Sequence, residues 1–251
     1  MEILGYRVPA AFSLLIWAVL WEMLGRTGTV FILPPLSDVL AALVELVQRP
    51  SFHTAALQSI ESFCIGMLIA IVAGVALGFL MGRNEAADNV LGMWVNIMAS
   101  APLSSLVPVL MLLFGLGQLT IVVTVILFSI WIIALDTYAG VRHVSTSLDE
   151  MARSFGASSW QLLTRVLFWA ALPEILAGIR IGLIRAVKGI VIGQLLISVV
   201  ALGRLFRTFS DNFQFENFWA LTLILFVFAL GFSAVLGWLE HKVEYYAGSR
   251  I

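Results

Sequence analysis

Apolar residues run along this chain in long blocks, and the polar residues fall between them in short clusters. A membrane-crossing helix needs roughly 20 mostly apolar residues. Blocks at about 8–26, 58–82, 90–116, 118–139, 173–200 and 217–239 meet that requirement once interruptions in two of them are allowed. The pattern predicts an all-α integral membrane protein with six transmembrane helices. Residues 1–32 hold the first, 33–57 form an external loop, and 58–251 form a helical core containing one polar hairpin at 147–172. The external loop carries an amphipathic helix from about 38 to 47 whose charges, Asp38, Glu45 and the nearby Arg49, suit a surface position. No small-x-small cleavage pattern follows the first block, so it reads as a retained helix with Trp17 and Trp21 as interface anchors.

Within the blocks, three departures from plain hydrophobicity stand out. Gly66, Ala70, Gly74, Gly78 and Gly82 recur every four residues in the second block, the spacing that lets another helix backbone approach closely. Pro102 and Pro108 interrupt the third, each removing a backbone donor and bending the helix. A broken helix at membrane depth persists only where protein or a water-filled cavity satisfies the freed groups. The segment SAPLSSLVP, with Ser104 and Ser105, is therefore either a pathway lining or a simple proline kink. Gly115 to Gly117 then predict a tight turn into the fourth block.

The fifth block contains Arg185 and Lys188, roughly 18 and 22 Å along a helix that starts at Pro173, close to the bilayer middle. Each buried charge there costs roughly 2.5 to 3.5 kcal/mol on insertion scales, so both need a partner. One reading is a cationic lining that attracts an anionic solute; the other is structural pairing with Asp136 or Glu61, or snorkelling to an edge. Gln194 and Ser198 lie one turn apart on another face of the same helix, where packing against a neighbouring span explains them equally well.

The polar hairpin carries the most local chemistry. Ser147 with Glu150 reads as a capping box, and Ser158 with Gln161 repeats it. Gly156 stands between them, where a first helix needs a left-handed residue to end. Leu148, Met151, Ala152 and Phe155 make one apolar face at i, i+3, i+4 and i+7, with Asp149, Glu150, Arg153 and Ser154 off it. Helix, sharp turn, helix is the expected form, and its apolar face calls for a partner.

Composition agrees and narrows the class. With 61% hydrophobic and 12% charged residues and a mean hydropathy of +1.03, a soluble globule is excluded. The net charge of -1 is uninformative, but the placement of the cations is not. With the N-terminus inside, eight (Arg7, Arg83, Arg142, Arg153, Arg165, Arg180, Lys242, Arg250) fall on the cytoplasmic side and four (Arg26, Arg49, Arg204, Arg207) outside. The positive-inside rule thus expects cytoplasmic termini and a cytoplasmic hairpin. The single cysteine, Cys64, excludes an intrachain disulfide and reads as a small buried hydrophobe. His53, His143 and His241 are scattered at predicted loops or span ends and suggest no metal site.

On these residues the chain resembles a known family. Glu150 to Pro173 resembles the EAA loop of ABC importer permeases: Glu150, Met151 and Ala152 stand for its Glu-Ala-Ala, with Gly156 at the family distance. EMARSFGASSWQLLTRV followed by ALP, LPPLSDVL, FGLGQ at 114–118 and DTYAGVRHV at 136–144 are similar to the nitrate, sulfonate and taurine branch, in the same order. Met151 replaces the first alanine, Trp169 stands where a proline usually closes the motif, Gln194 where relatives often carry an acid, and Lys188 is unusual at its position.

The resemblance implies a type I ABC importer permease (MetI-like) fold in a bacterial inner membrane, and no enzymatic activity. It implies a homodimer of this chain, two ATP-binding subunits and an external substrate-binding protein. No cofactor is implied in this chain, ATP and Mg being bound by the partner. Glu150, Met151, Ala152, Arg153, Gly156, Ala157 and Ser158 would form the ATPase-coupling hairpin. Arg185, Lys188, Gln194, Ser104 and Ser105 would be the pathway candidates for a small anion such as a sulfonate, taurine, nitrate or a bicarbonate-like solute, although the branch also carries neutral heterocycles.

The absence of a GxxxxGK[ST] phosphate loop agrees with an external energy source. The rival reading, a self-sufficient secondary transporter or channel, expects inverted repeats, and none is visible. HExxH and GxSxG are absent, which disfavours an intramembrane enzyme. The low charge content leaves no basic surface for nucleic acid.

Overall fold

A computed structural model describes residues 2–3, 6–7, 10–228 and 231. Within them the regular structure is helical apart from an antiparallel pairing of the two-residue strands β1 (Glu2–Ile3) and β2 (Tyr6–Arg7). The helices are α1 (Ala10–Thr27), α2 (Leu36–Gln48), α3 (Pro50–Arg83), α4 (Glu85–Ser100), α5 (Val107–Phe114) and α6 (Gln118–His143). They continue with α7 (Thr146–Ser154), α8 (Ser159–Leu162), α9 (Phe168–Ala170), α10 (Leu172–Ile197), α11 (Ala201–Asp211) and α12 (Phe215–Phe228). Among the described residues α3 and α6 are each long and apolar enough to cross a membrane alone, and the bent pairs α4–α5 and α10–α11 qualify as broken spans. The C-terminal half of the last predicted span, with Glu240, His241, Lys242, Glu244 and Arg250, lies outside the described residues.

The centre is α6, held between α3 and α10 by small residues. Along α3, Gly66, Gly74, Gly78 and Gly82 meet Val125, Ile133, Thr137 and Val141 in turn, so α3 and α6 run parallel. Along α10, Gly178, Gly182, Gly189 and Gly193 meet Asp136, Ile133, Phe128 and Thr124, so α10 runs antiparallel. A side chain at Gly78 would put its Cβ 2.5 Å from that of Thr137 and 2.6 Å from the Ala134 carbonyl, so this crossing tolerates glycine alone. Two parallel helices separated by one connection require that connection to run back across the layer. The segment α4–α5 does this, with Val95 packed near Ala134 and Leu103 near Phe128.

The third span is not gently kinked. Its two helices meet at 96° across a 3-10 turn, Leu103–Leu106. Pro102 marks the break; Pro108 falls in the first turn of α5, where its missing N–H belongs to no intrahelical bond and bends nothing. Gly115, with φ +80, ends α5 and Gly117 opens α6, as the sequence predicts. The fifth span ends earlier than expected, at Ile197, because Ser198 takes a left-handed conformation (φ 50) and turns the chain by 48° into α11.

A second layer packs α1, α2, α11 and α12 around the start of α3. Val39, Leu46, Leu202, Leu205, Phe206 and Leu221 form its core. Trp21 and Trp219 meet edge-on at 5.0 Å and donate their indole N–H groups to the carbonyls of Pro34 and Ile32, fixing the connection before α2. The carboxylate of Glu22, on α1, accepts from the Ser37 backbone and hydroxyl at 2.9 and 3.0 Å, capping α2 in place of its own N-cap, Pro35.

Candidate functional site: the helical hairpin and the charges at α10

The hairpin folds by local rules. Helix α7 ends with Gly156 left-handed (φ +77), the Gly156 N–H donating to Arg153 at 2.9 Å and the Ala157 N–H to Ala152 at 3.0 Å. These are the two bonds of a Schellman motif. Ser158 then caps α8: its hydroxyl accepts from the Gln161 N–H at 3.3 Å and its own N–H donates to the Gln161 side chain at 2.9 Å.

The other predicted capping box does not form. Helix α7 starts at Thr146 from Ser145, without a side-chain cap, because Val144 is already extended and the chain re-enters helix two residues early. The Ser147 hydroxyl donates to that of Ser145 at 3.1 Å, and Glu150 is exposed.

Between α8 and α9 the helix widens into a π turn at Leu163–Leu167. Leu162 and Leu167, five residues apart, would point roughly 140° apart on a regular α-helix. Both are buried with Ala152 against Phe79 of α3 and Val144 at the end of α6. The π turn brings them to one side.

An ion pair attaches the hairpin to the bundle. Asp149 accepts from the Arg153 Nε at 2.9 Å and the Arg83 Nη1, at the end of α3, at 3.4 Å. These bonds and charges, Arg153 first, hold the Asp149 carboxyl below its ordinary pKa. Beside them the Tyr138 hydroxyl donates to Asp88 at 2.7 Å, and the Arg142 guanidinium lies 3.7 Å from the same carboxylate.

With its inner face so occupied, the hairpin presents apolar groups outward: Met151 is 49% exposed, Phe155 86% and Trp160 71%. Of the predicted coupling residues, Glu150, Met151, Arg153, Gly156 and Ser158 are exposed, Ala157 is half-buried, and Ala152 is buried as the inner anchor.

The pathway candidates are not gathered into one cluster. Arg185 is half-buried and its Nη1 donates to the Ala99 carbonyl at 3.0 Å. That carbonyl has Pro102, without an N–H, three residues on, and Leu103 beyond the bend four residues on. Arg185 supplies the donor that the break removes. Asp136, seated on Gly178, lies within electrostatic reach of Arg185, whereas Glu61 is exposed on α3.

Lys188 points elsewhere. It is exposed in a groove of about 570 Å³ between α10, α11 and α12. Gln194 is 2% exposed and its Nε2 donates to the Ser59 Oγ at 2.7 Å, tying α10 to α3. Ser104 and Ser105 are exposed on the 3-10 turn, where the Ser105 hydroxyl donates to the Pro102 carbonyl at 2.8 Å.

The sequence reading missed α11, whose signal is present: Leu202, Leu205, Phe206 and Phe209 fall at i, i+3, i+4 and i+7 and are all buried. It also missed the pairing of Arg83 with Asp149, for which a single sequence carries no sign.

Comparison with known proteins agrees with this architecture. The model for "Binding-protein-dependent transport system inner membrane component" matches residues 66–245. The formylaminopyrimidine transport permease protein ThiX of Halalkalibacterium halodurans is 29% identical over 230 residues, covering 90% of this chain and 91% of that protein. The carnitine transport permease protein OpuCD of Listeria monocytogenes is 30% identical over 71% of this chain and 80% of its own length. The taurine transport system permease protein TauC of Escherichia coli is 26% identical over 81% of this chain and 77% of its own. Among solved structures, an amino acid ABC transporter chain matches with a TM-score of 0.61 at 19% identity, covering 77% of this chain and 94% of that one. A chain of the inward-facing MetNI methionine ABC transporter matches with 0.60 at 18% identity, covering 74% of this chain and 91% of that one. The chain belongs to the inner-membrane components of binding-protein-dependent transport systems: it is an ABC importer permease subunit, a multi-pass membrane protein.

Proposed function

We propose that this permease imports a small solute bearing an anionic group, and that two copies of the chain form the membrane pathway. Each copy docks one ATP-binding subunit through the outward face of its hairpin, and both termini lie in the cytoplasm. The ATPase subunits bind ATP and Mg, and an external binding protein delivers the solute. The single observation that carries the coupling role is the exposed apolar end of the hairpin, Met151, Phe155 and Trp160, on an element whose inner face packs on the bundle.

Two lines support the anionic solute. Lys188 sits deep in α10 without an acid partner among the described residues, and of the relatives named above, two are called transporters of carnitine and taurine, molecules that each carry an acid group. The test is uptake into liposomes holding the permease and binding protein, with and without the ATPase subunits. Uptake is expected only with ATPase and internal ATP, and to fall as nonhydrolysable nucleotide replaces ATP. Robust uptake without any ATPase would overturn the reading.

A further inference from the structure

Arg185 and Lys188 are three residues apart on α10, yet the structure separates their duties. The Arg185 guanidinium is engaged by the Ala99 carbonyl and lies near Asp136, so the broken helix uses it. Lys188 has no acid partner among the described residues. It projects into the groove of about 570 Å³ whose other walls are apolar apart from Thr222, with Phe206, Phe218, Trp219 and Phe226 among them. An ammonium without an acid partner, facing apolar walls at membrane depth, is stabilised by a counter-charge, and a ligand that enters the groove can bring one. The aromatic walls meanwhile offer nothing polar to hold the rest of that ligand.

The groove adjoins a second cavity of about 460 Å³ at the α11 end, with Phe206, Phe218 and Leu195 lining both. That cavity is polar where the groove is not: Ser198, Ser210, Arg207 and Asp211 line it, Arg207 paired with Asp211 at 3.5 Å. A solute entering from that end thus meets a polar mouth and then an apolar slot with Lys188 inside.

We infer that the α10–α12 groove binds an organic anion with an apolar or aromatic body, its sulfonate or carboxylate on Lys188, and is not built for nitrate or bicarbonate. Those inorganic ions match the ammonium but would leave the aromatic walls unfilled in a space of the size that drug-sized ligands occupy. This inference rests on the importer reading and names the substrate class for it.

The test is equilibrium binding of tritiated p-toluenesulfonate to the permease with its ATPase subunits, in phosphatidylcholine nanodiscs without nucleotide. Saturable binding is expected, displaced by unlabelled p-toluenesulfonate and by neither nitrate nor the neutral methyl p-tolyl sulfone at the same concentration. Lys188→Gln should weaken it by about tenfold or more, and Lys188→Arg should restore it to within about threefold. Equal binding by wild type and Lys188→Gln would overturn the assignment. So would displacement by nitrate as effective as by p-toluenesulfonate, which marks a small-ion site, or loss of binding when phosphatidylglycerol is added, which marks a lipid headgroup site. ATP-driven uptake measured on the same preparation separates the two readings. ATPase-dependent uptake without p-toluenesulfonate binding removes the substrate class and keeps the importer; binding with ATPase-independent uptake does the reverse.

Discussion

Gly156 concentrates the hairpin's geometry in one residue. Its left-handed backbone allows both bonds of the turn, and open space surrounds the position where a Cβ would stand, so the penalty for replacing it is conformational rather than steric. Gly156→Val should cost about 1–3 kcal/mol locally and tilt the exposed end. ATP hydrolysis is then expected to continue while the uptake per ATP falls, which paired assays in proteoliposomes would read. Asp149 sets a pH limit on the same element. A carboxylate whose pKa is lowered on folding contributes stability above its ordinary value near 3.8 and loses it as pH falls through the lower folded value. The hairpin's attachment should therefore be complete at about pH 5 and above and weaken below about pH 4. A polarity-sensitive dye at residue 155, in a Cys64→Ser background, should report that transition, and Asp149→Asn should abolish it. These residues differed in how far the sequence disclosed them. Gly156, Ser158 and Gln161 act through neighbours three to five positions away and were legible. Ser147 and Glu150 fit the same pattern, but where α6 stops, just before the extended Val144, decides where α7 begins, and Val144 is held by packing against α10 and the hairpin core.

At the scale of elements, the two caps now make opposite predictions. Ser158→Ala should destabilise the hairpin by about 1 kcal/mol. Glu150→Ala should leave hairpin stability within about 0.5 kcal/mol, so any loss of activity there would be a loss of ATPase contact. Thermal unfolding alongside ATPase co-purification distinguishes the two effects. The broken third span was legible from Pro102, and its partner was not, because a backbone carbonyl such as that of Ala99 has no signature in a sequence. Arg185→Met should leave that carbonyl unpaired and cost about 1–3 kcal/mol in thermal unfolding. A wild-type melting temperature for Arg185→Met would show that the contact contributes nothing. The amphipathic α11 escaped notice because Arg204, Arg207 and Asp211 interrupt its apolar run, although its buried stripe follows helical spacing.

For the whole molecule, the organising fact is that α6 is clasped by two glycine stripes, parallel to α3 and antiparallel to α10. The stripe on α3 and the spans α3 and α6 could be read from spacing and hydropathy alone; the choice of α6 as shared partner could not, since small residues specify closeness without specifying to what. This bundle places its tight contacts inside and leaves large apolar side chains of α1 and α3, Leu14, Trp17 and Leu68 among them, on the outside, as a lipid-facing surface requires. It also fixes the hairpin between the end of α6 and the start of α10, so a force on α7 and α8 acts on the central helix and on the antiparallel helix packed against it. The central claim, that the hairpin's apolar end is where the ATPase engages, is tested most directly by Phe155→Asp in the reconstituted importer. The account predicts that the ATPase subunits no longer co-purify and that ATP-driven uptake is lost while the permease melts as the wild type does. Full uptake with the ATPase still bound would contradict it.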